Sequence, residues 1–323
     1  MLELGRKGEV MFNRRLFCAV SAGLVTGSSR VSAARPDVTV SKSVPVGFDF
    51  TKEPLPHFRN GYVVAVDHSH TTVRVWDSRW TLVMDRRVEI PGAARTILRD
   101  VSALPSGRVV VLARAIRADG KVSSALAMLD QLGGIERVVA TSPYEPQCIA
   151  SAPGGEIWTI GWVHDGAGKE LGEYAVLKRY DGLGKLAAEL VPRSLFAPHG
   201  KAPAIGAALA VSADRAFVVS DEAGICVEVS LSGEILGRWP VERTRTPIRT
   251  GLTYSDSGSL FASFDDRQRF LCRFDRKSGG WEPISLGVVG EGQQWFHLMG
   301  SDSGRLVGRT KPASNMIWIE VEI

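Results

Sequence analysis

Asp100-Val-Ser-Ala-Leu-Pro-Ser-Gly107 runs directly into Arg108-Val-Val-Val-Leu-Ala113, and after a polar loop the chain resumes as Ser124-Ala-Leu-Ala-Met-Leu-Asp130. Gln131-Leu-Gly-Gly134 then turns it into Ile135-Glu-Arg-Val-Val139. Each apolar stretch is short and bounded by Gly, Pro, Ser or Asp, which is the pattern of strands joined by tight turns. The unbroken apolar run after Gly107 predicts a strand covered on both faces, since a half-exposed strand would alternate. The whole stretch reads as one four-stranded antiparallel unit.

The unit recurs. Ile149-Ala-Ser-Ala-Pro-Gly-Gly155 leads into Glu156-Ile-Trp-Thr-Ile160, Tyr174-Ala-Val-Leu-Lys-Arg-Tyr-Asp181 and Gly184-Lys-Leu-Ala-Ala-Glu-Leu190. The turn that anchors it falls at Gly61, Gly107, Gly155, Asp214, Gly258 and Gly304, with gaps of 46, 48, 59, 44 and 46 residues. The excess in the long gap sits in two loop-like stretches, 166–172 and 197–203. Gly is expected at these turns because tight hairpins need positive φ. Units of this length with four short strands predict an all-β, six-bladed β-propeller of four-stranded antiparallel blades. A tandem of β-sandwiches is the alternative fold.

Closure of such a ring makes a further demand. The last unit has strands expected at 296–301, 305–309 and 315–322 but no outer strand, whereas Val38-Thr-Val-Ser-Lys-Ser-Val-Pro-Val-Gly-Phe-Asp-Phe50 alternates ahead of the first unit. The N-terminal strand is therefore expected to complete the last blade and to hide both exposed edges. The alternating strand that ends in Asp, as at Asp130 and Asp181, with Gly two or more residues on, resembles the NHL-type and related six-bladed propellers over residues 38–323. Trp76-Asp77 is like the end of a WD repeat, but no other unit repeats it.

Residues 1–34 read differently. From Met11 the chain carries Arg14-Arg15-Leu16-Phe17, an apolar stretch, and a small-residue cleavage site at Val31-Ser32-Ala33. That is the layout of an export signal peptide, and the arginine pair is similar to a twin-arginine leader. Residues 1–10 read as a misplaced start. The expectation is a leader over 1–34, a single propeller domain over 35–323, a bacterial source, and a periplasmic or secreted product.

Charge is uninformative about nucleic acid once the leader is set aside. Arg6, Lys7, Arg14, Arg15 and Arg30 against Glu3 and Glu9 supply three of the four net positive charges. The body lacks the clustered Lys and Arg that phosphate backbones require, so no nucleic-acid partner is expected. No stretch has the apolar length of a membrane span, and we expect a monomer. Removing the leader removes Cys18 and leaves Cys148, Cys226 and Cys272, an odd number that argues against a disulfide framework. Buried thiols are expected, with a Cys226–Cys272 bridge as the alternative.

No zinc, phosphate-loop, nucleophile-elbow or calcium-loop motif is present. In a propeller the loops joining second to third strands share a face with those linking blades, and function usually resides on such loops. The first set carries Asp67, His68, His70, Arg114, His164, Asp165, Asp221, Glu222, Asp265, Asp266 and Arg309; the second carries Arg99, Tyr144, Glu145 and His199. His68 and His70 lie two apart, so in an extended strand both imidazoles point to one side. His164 or Asp265 would complete a metal shell there; the same stretch also reads as a polar hairpin loop. Asp221-Glu222 and Asp265-Asp266 offer oxygen ligands or an acid–base pair, and Tyr144, Trp162 and Trp295 offer stacking surfaces. The first functional expectation is a binding module for a peptide, glycan or protein. The second is an enzyme resembling the lactonases and lyases of this scaffold, whose resemblance implies a central divalent ion held by a carboxylate and amide-bearing ligands. Asn13, Asn60 and Asn315 are the only asparagines, which departs from that pattern. No cofactor beyond a divalent metal ion is implied.

Overall fold

β1 (Thr39–Pro45) precedes the repeats. The first repeat forms β2 (His57–Arg59), β3 (Tyr62–Val66), β4 (Thr72–Trp76) and β5 (Leu82–Arg87). The second forms β6 (Arg95–Ala103), β7 (Val109–Ile116), β8 (Val122–Leu129) and β9 (Ile135–Ala140). The third forms β10 (Tyr144–Ser151), β11 (Ile157–Val163), β12 (Ala175–Tyr180) and β13 (Leu186–Pro192). The fourth comprises β14 (Ala208–Val211), β15 (Arg215–Ser220), β16 (Ile225–Ser230) and β17 (Ile235–Pro240). The fifth comprises β18 (Pro247–Tyr254), β19 (Leu260–Phe264), β20 (Leu271–Asp275) and β21 (Gly280–Pro283). β22 (Phe296–Asp302), β23 (Arg305–Thr310) and β24 (Ile317–Glu322) end the chain's strands. This is a computed structural model, and it describes residues 39–45, 56–165, 169–199, 207–220, 223–241, 247–264, 271–284, 296–310 and 317–322.

Repeats two to five each make a separate four-stranded antiparallel meander. The inner strands touch in succession, β2 to β6, β6 to β10, β10 to β14, β14 to β18 and β18 to β22, and β22 returns to β2. The fold is a β-propeller. Where the repeat pattern predicts six separate sheets, the described residues form five. β1, β24, β23 and β22 share one eight-stranded sheet with the first repeat, because a single parallel bridge, Phe58 to Gly300, splices β2 onto β22. β1 lies antiparallel to β24, from Thr39 opposite Glu322 to Pro45 opposite Ile317.

The turns follow the expected chemistry. Gly61, Gly107, Gly155, Gly258 and Gly304 take φ of 79°, 77°, 91°, 79° and 75° between the first two strands of their units. In the fourth repeat Asp214 stands in place of glycine, and the Ser212 hydroxyl accepts hydrogen bonds from the Asp214 and Arg215 amides instead. That side chain replaces the left-handed residue as the device that closes the turn.

Apolar residues collect between sheets rather than within one. Val109, Val111 and Ala113 of β7 pack with Val64, Val66 and Val73 of the preceding sheet. Trp158, Ile160 and Val176 pack with Val218 and Val227 of the following one. Phe217 meets Phe274 edge-on at 5.0 Å, and Trp239 meets Phe274 at 5.0 Å, so aromatic rings fill the next gap. β7, β11 and β15 are thus covered on both faces. Cys148, Cys226 and Cys272 are buried thiols outside any disulfide, so the bridge between Cys226 and Cys272 is not formed. Burial alone pushes the Cys226 thiol up to about 12. Among the described residues no helix is long and apolar enough to cross a membrane.

Candidate functional site

The inner strands carry an irregularity that the sequence does not announce. Register slips between Leu98 and Asp100 in β6, between Pro146 and Cys148 in β10, and between Leu298 and Gly300 in β22. Each slip sets one extra residue, Arg99, Gln147 or Met299, outside the ladder. Bulges of this kind re-aim side chains. Arg99 is exposed although Leu98 and Asp100 on either side are buried.

Below the bulges, hydroxyls and one carboxylate tie neighbouring inner strands together. Asp100 accepts hydrogen bonds from the Val101 amide (3.0 Å) and from the Ile149 amide on the next strand (2.9 Å), and its Oδ1 lies 2.9 Å from His57 Nε2. Ser102 and Ser151 hydroxyls are 2.8 Å apart, and Thr253 and Ser301 hydroxyls 3.1 Å apart. Side chains here do the joining that a backbone ladder does within a sheet.

Beside the Arg99 bulge, charged groups from the second and third repeats converge. Arg114, near the end of β7, forms an ion pair with Glu145 of β10. Burial, and then the neighbouring Arg99 guanidinium, push Arg114 below its ordinary pKa. Glu145 Oε1 also accepts a hydrogen bond from Gln147 Nε2 at 3.1 Å, and its Oε2 stands 3.7 Å from His164 Nδ1. The His164 ring lies against Trp162, centroids 5.5 Å apart. Further out on the same hairpin, Glu170 accepts hydrogen bonds from Arg193 Nε (2.7 Å) and the Tyr174 hydroxyl. Burial opposes the Glu170 charge, but these two donors outweigh it and hold the carboxyl below its usual value. The Tyr174 phenol is pushed up, by burial first and then by its bond to Glu170.

His164 and Glu145, both expected on the loop face, are therefore brought together. The other expectations fare differently. Tyr144 is not a stacking surface: it is 1% exposed, and its hydroxyl donates to the Val176 carbonyl at 2.9 Å. Its place at the start of an inner strand turns it into the core rather than toward solvent. Tyr144→Phe should cost about 1 kcal/mol, read as a lower midpoint in urea unfolding; an unchanged midpoint would show that the bond contributes nothing.

His68 and His70 do not lie in an extended strand. They occupy the β3–β4 turn, with His70 at φ 55°, so the rule that places residues two apart on one side does not apply. His70 Nδ1 lies 3.0 Å from the Leu98 carbonyl oxygen. Asp67 organises this turn. Its carboxylate accepts from the Thr71 and Thr72 amides and from the Ser69 hydroxyl, and these bonds overcome its burial and hold it below the ordinary range. Asp165 is exposed and accepts from the Lys169 amide at 2.9 Å. Arg309 sits in β23 in register with His297 and Trp318, and His199 ends a short 3-10 turn, Arg193–His199. Asp221, Glu222, Asp265 and Asp266 lie outside the described residues. Among the described residues no group of three His, Cys, Asp or Glu side chains is gathered to hold a metal ion.

No family model matches this chain, and no curated protein matches it. Solved structures do. A protein of unknown function from Bacteroides caccae superposes with a TM-score of 0.50 at 13% identity, over 77% of this chain and 82% of that one. What the two share is the fold. Regucalcin from Agrobacterium tumefaciens, a calcium-binding protein, gives 0.48 at 11% identity over 88% and 95% of the two chains. Virginiamycin B lyase from Staphylococcus aureus gives 0.43 at 12% over 87% and 88%.

Gln147, Glu170, Tyr174 and Arg193 were not singled out from sequence. Glu170 and Arg193 are separated by two strands, and nothing in their spacing marks them as partners. Arg99 was expected on the loop face, among the residues linking one blade to the next.

Proposed function

We propose that this chain is an exported, six-bladed propeller of NHL-like type that acts as a binding module, its ligand engaging the Arg99–Arg114 edge through a carboxylate. The count of six treats the spliced eight-stranded sheet as two blades. The observation that carries the ligand reading is the pair of neighbouring guanidiniums at that edge. Two guanidiniums stand close enough for one to depress the other, and Arg99 is exposed at its bulge. Two neighbouring arginines suit a carboxylate, which accepts from guanidinium in a fork. Peptide termini, acidic side chains and uronic sugars all present that group.

Isothermal titration of the purified chain with succinate, citrate and glucuronate tests this. At least one is expected to bind saturably, with Arg99→Ala weakening it tenfold or more. Glu145→Gln removes the competing internal carboxylate and is expected to tighten it. Equal affinities in all three proteins would sink the reading.

A second reading, hydrolase or lyase chemistry, is favoured by one geometry. Glu145 Oε2 stands 3.7 Å from His164 Nδ1, which puts a carboxylate beside an imidazole, the two group types most used as general acid and base. Metal analysis separates the two, because stoichiometric divalent ion in the purified protein would favour the catalytic reading.

A further inference from the structure

The strands' opposite ends hold a cavity of about 290 Å³, built by the turns between first and second strands. Arg59 and Asn60 of the first repeat face Ser212 and Asp214 of the fourth, with Tyr254 and Asp256 of the fifth closing the ring. None of these residues belongs to the Arg99–Arg114 edge, which lies where second and third strands join. We propose that this cavity binds a neutral polyhydroxylated ligand the size of one sugar ring.

Formal charges around the cavity balance, which favours a neutral occupant. Asp214 is matched by Arg215, whose Nη2 lies 2.6 Å from Oδ2, and the hydrogen bonds from Arg215 and Ser212 bring its carboxyl down to about 2. Behind the wall Glu228 is matched by Arg276. Arg59 and Asp256 of the lining carry one charge of each sign, so the formal charges sum to zero. What remains is a set of short-range hydrogen-bonding groups: the Asp214 and Asp256 carboxylates, and the hydroxyls of Ser212, Ser255 and Ser301. Carboxylates on otherwise neutral walls are strong acceptors for ligand hydroxyls. Pro153 supplies an exposed apolar patch for the C–H face of a ring. The volume stands at the small end of ligand sites, which run from about 300 Å³ upward, and so limits the occupant to a single unit.

The positions are also held still. Asp256 Oδ2 accepts the Gly304 amide at 2.8 Å, and Asn60 Nδ2 donates to the Ala103 carbonyl at 2.8 Å. Tyr254 donates its hydroxyl to Glu228 at 2.6 Å. Pre-set groups of this kind lower the ordering cost of binding.

Saturation-transfer NMR on the purified chain, with glucose, mannose, galactose and N-acetylglucosamine as probes and glucuronate as the charged control, is the test. Transfer to at least one neutral sugar is expected. Ala213→Phe, made at an exposed position on the cavity rim, is expected to abolish it without unfolding the protein, and Asp256→Asn to weaken it tenfold. Arg99→Ala is expected to leave it unchanged, so loss of the carboxylate edge and loss of this cavity are separable. Absence of transfer to all four sugars overturns the proposal, as does transfer that survives Ala213→Phe in folded protein.

Discussion

Gly300→Ala is expected to destabilise the protein by about 3 kcal/mol, the upper end of what overpacking usually costs. For a domain of this size that corresponds to a melting temperature lower by roughly 5–10 °C. A Cβ at Gly300 would run into the Phe58 carbonyl oxygen, and its carbonyl carbon would be 2.9 Å away. Backbone cannot swing aside as a long side chain does. Phe58 and Gly300 are also the bridge that splices β2 to β22, so any retreat of either strand opens the seam between the last repeat and the first. Gly172→Ala is the matched control, because nothing lies within 4 Å of its added carbon. Equal melting temperatures for the two variants would show that the approach at Phe58 is not as close as described.

Glu228→Ala is expected to cost a similar amount, about 3 kcal/mol, because removing one member of a buried pair strands the other. Glu228 is 2% exposed. It accepts from Arg276 Nε at 2.9 Å, from Arg276 Nη2 at 2.7 Å and from the Tyr254 hydroxyl at 2.6 Å, which joins the fourth sheet to the fifth. Burial alone would raise its pKa; the hydrogen bonds from Arg276 and Tyr254, with the Arg276 charge, more than reverse this and hold it below the usual carboxylate value. A depressed folded pKa means stabilisation that is fully present above the unfolded value of about 4.3. It is lost as pH falls through the lower, folded value. The stability gap between wild type and Glu228→Gln, measured by urea unfolding, is therefore expected to be wide at pH 7 and to shrink at pH 3. A gap of equal width at both would refute the assignment.

The repeat was legible because turn chemistry and strand burial leave local marks. Gly107 and Gly155 announce their hairpins, and Arg108-Val-Val-Val-Leu-Ala113 announces a strand with neighbours on both sides. The sharing of one sheet by the first and last repeats was not legible, since it depends on a single bridge between residues far apart in the chain. The candidate site was half legible. Loop position alone brought out Glu145 and His164, whereas Tyr144, one residue earlier, points the other way because strand neighbours alternate. The premise behind pairing His68 with His70 does not hold: it assumed extended backbone where Asp67 folds a turn. Bulges escape sequence inspection altogether, because an inserted residue looks like any other until its partner strand is known. Arg99 acquires its exposure only in that context.

The antiparallel pairing of Thr39–Pro45 with Ile317–Glu322 bears on how the protein is made. An early strand must wait for one of the latest to leave the ribosome, so a partly synthesised chain carries open sheet edges throughout its elongation. Such edges recruit other chains, and production of this protein should depend on holdase chaperones more than its finished surface suggests.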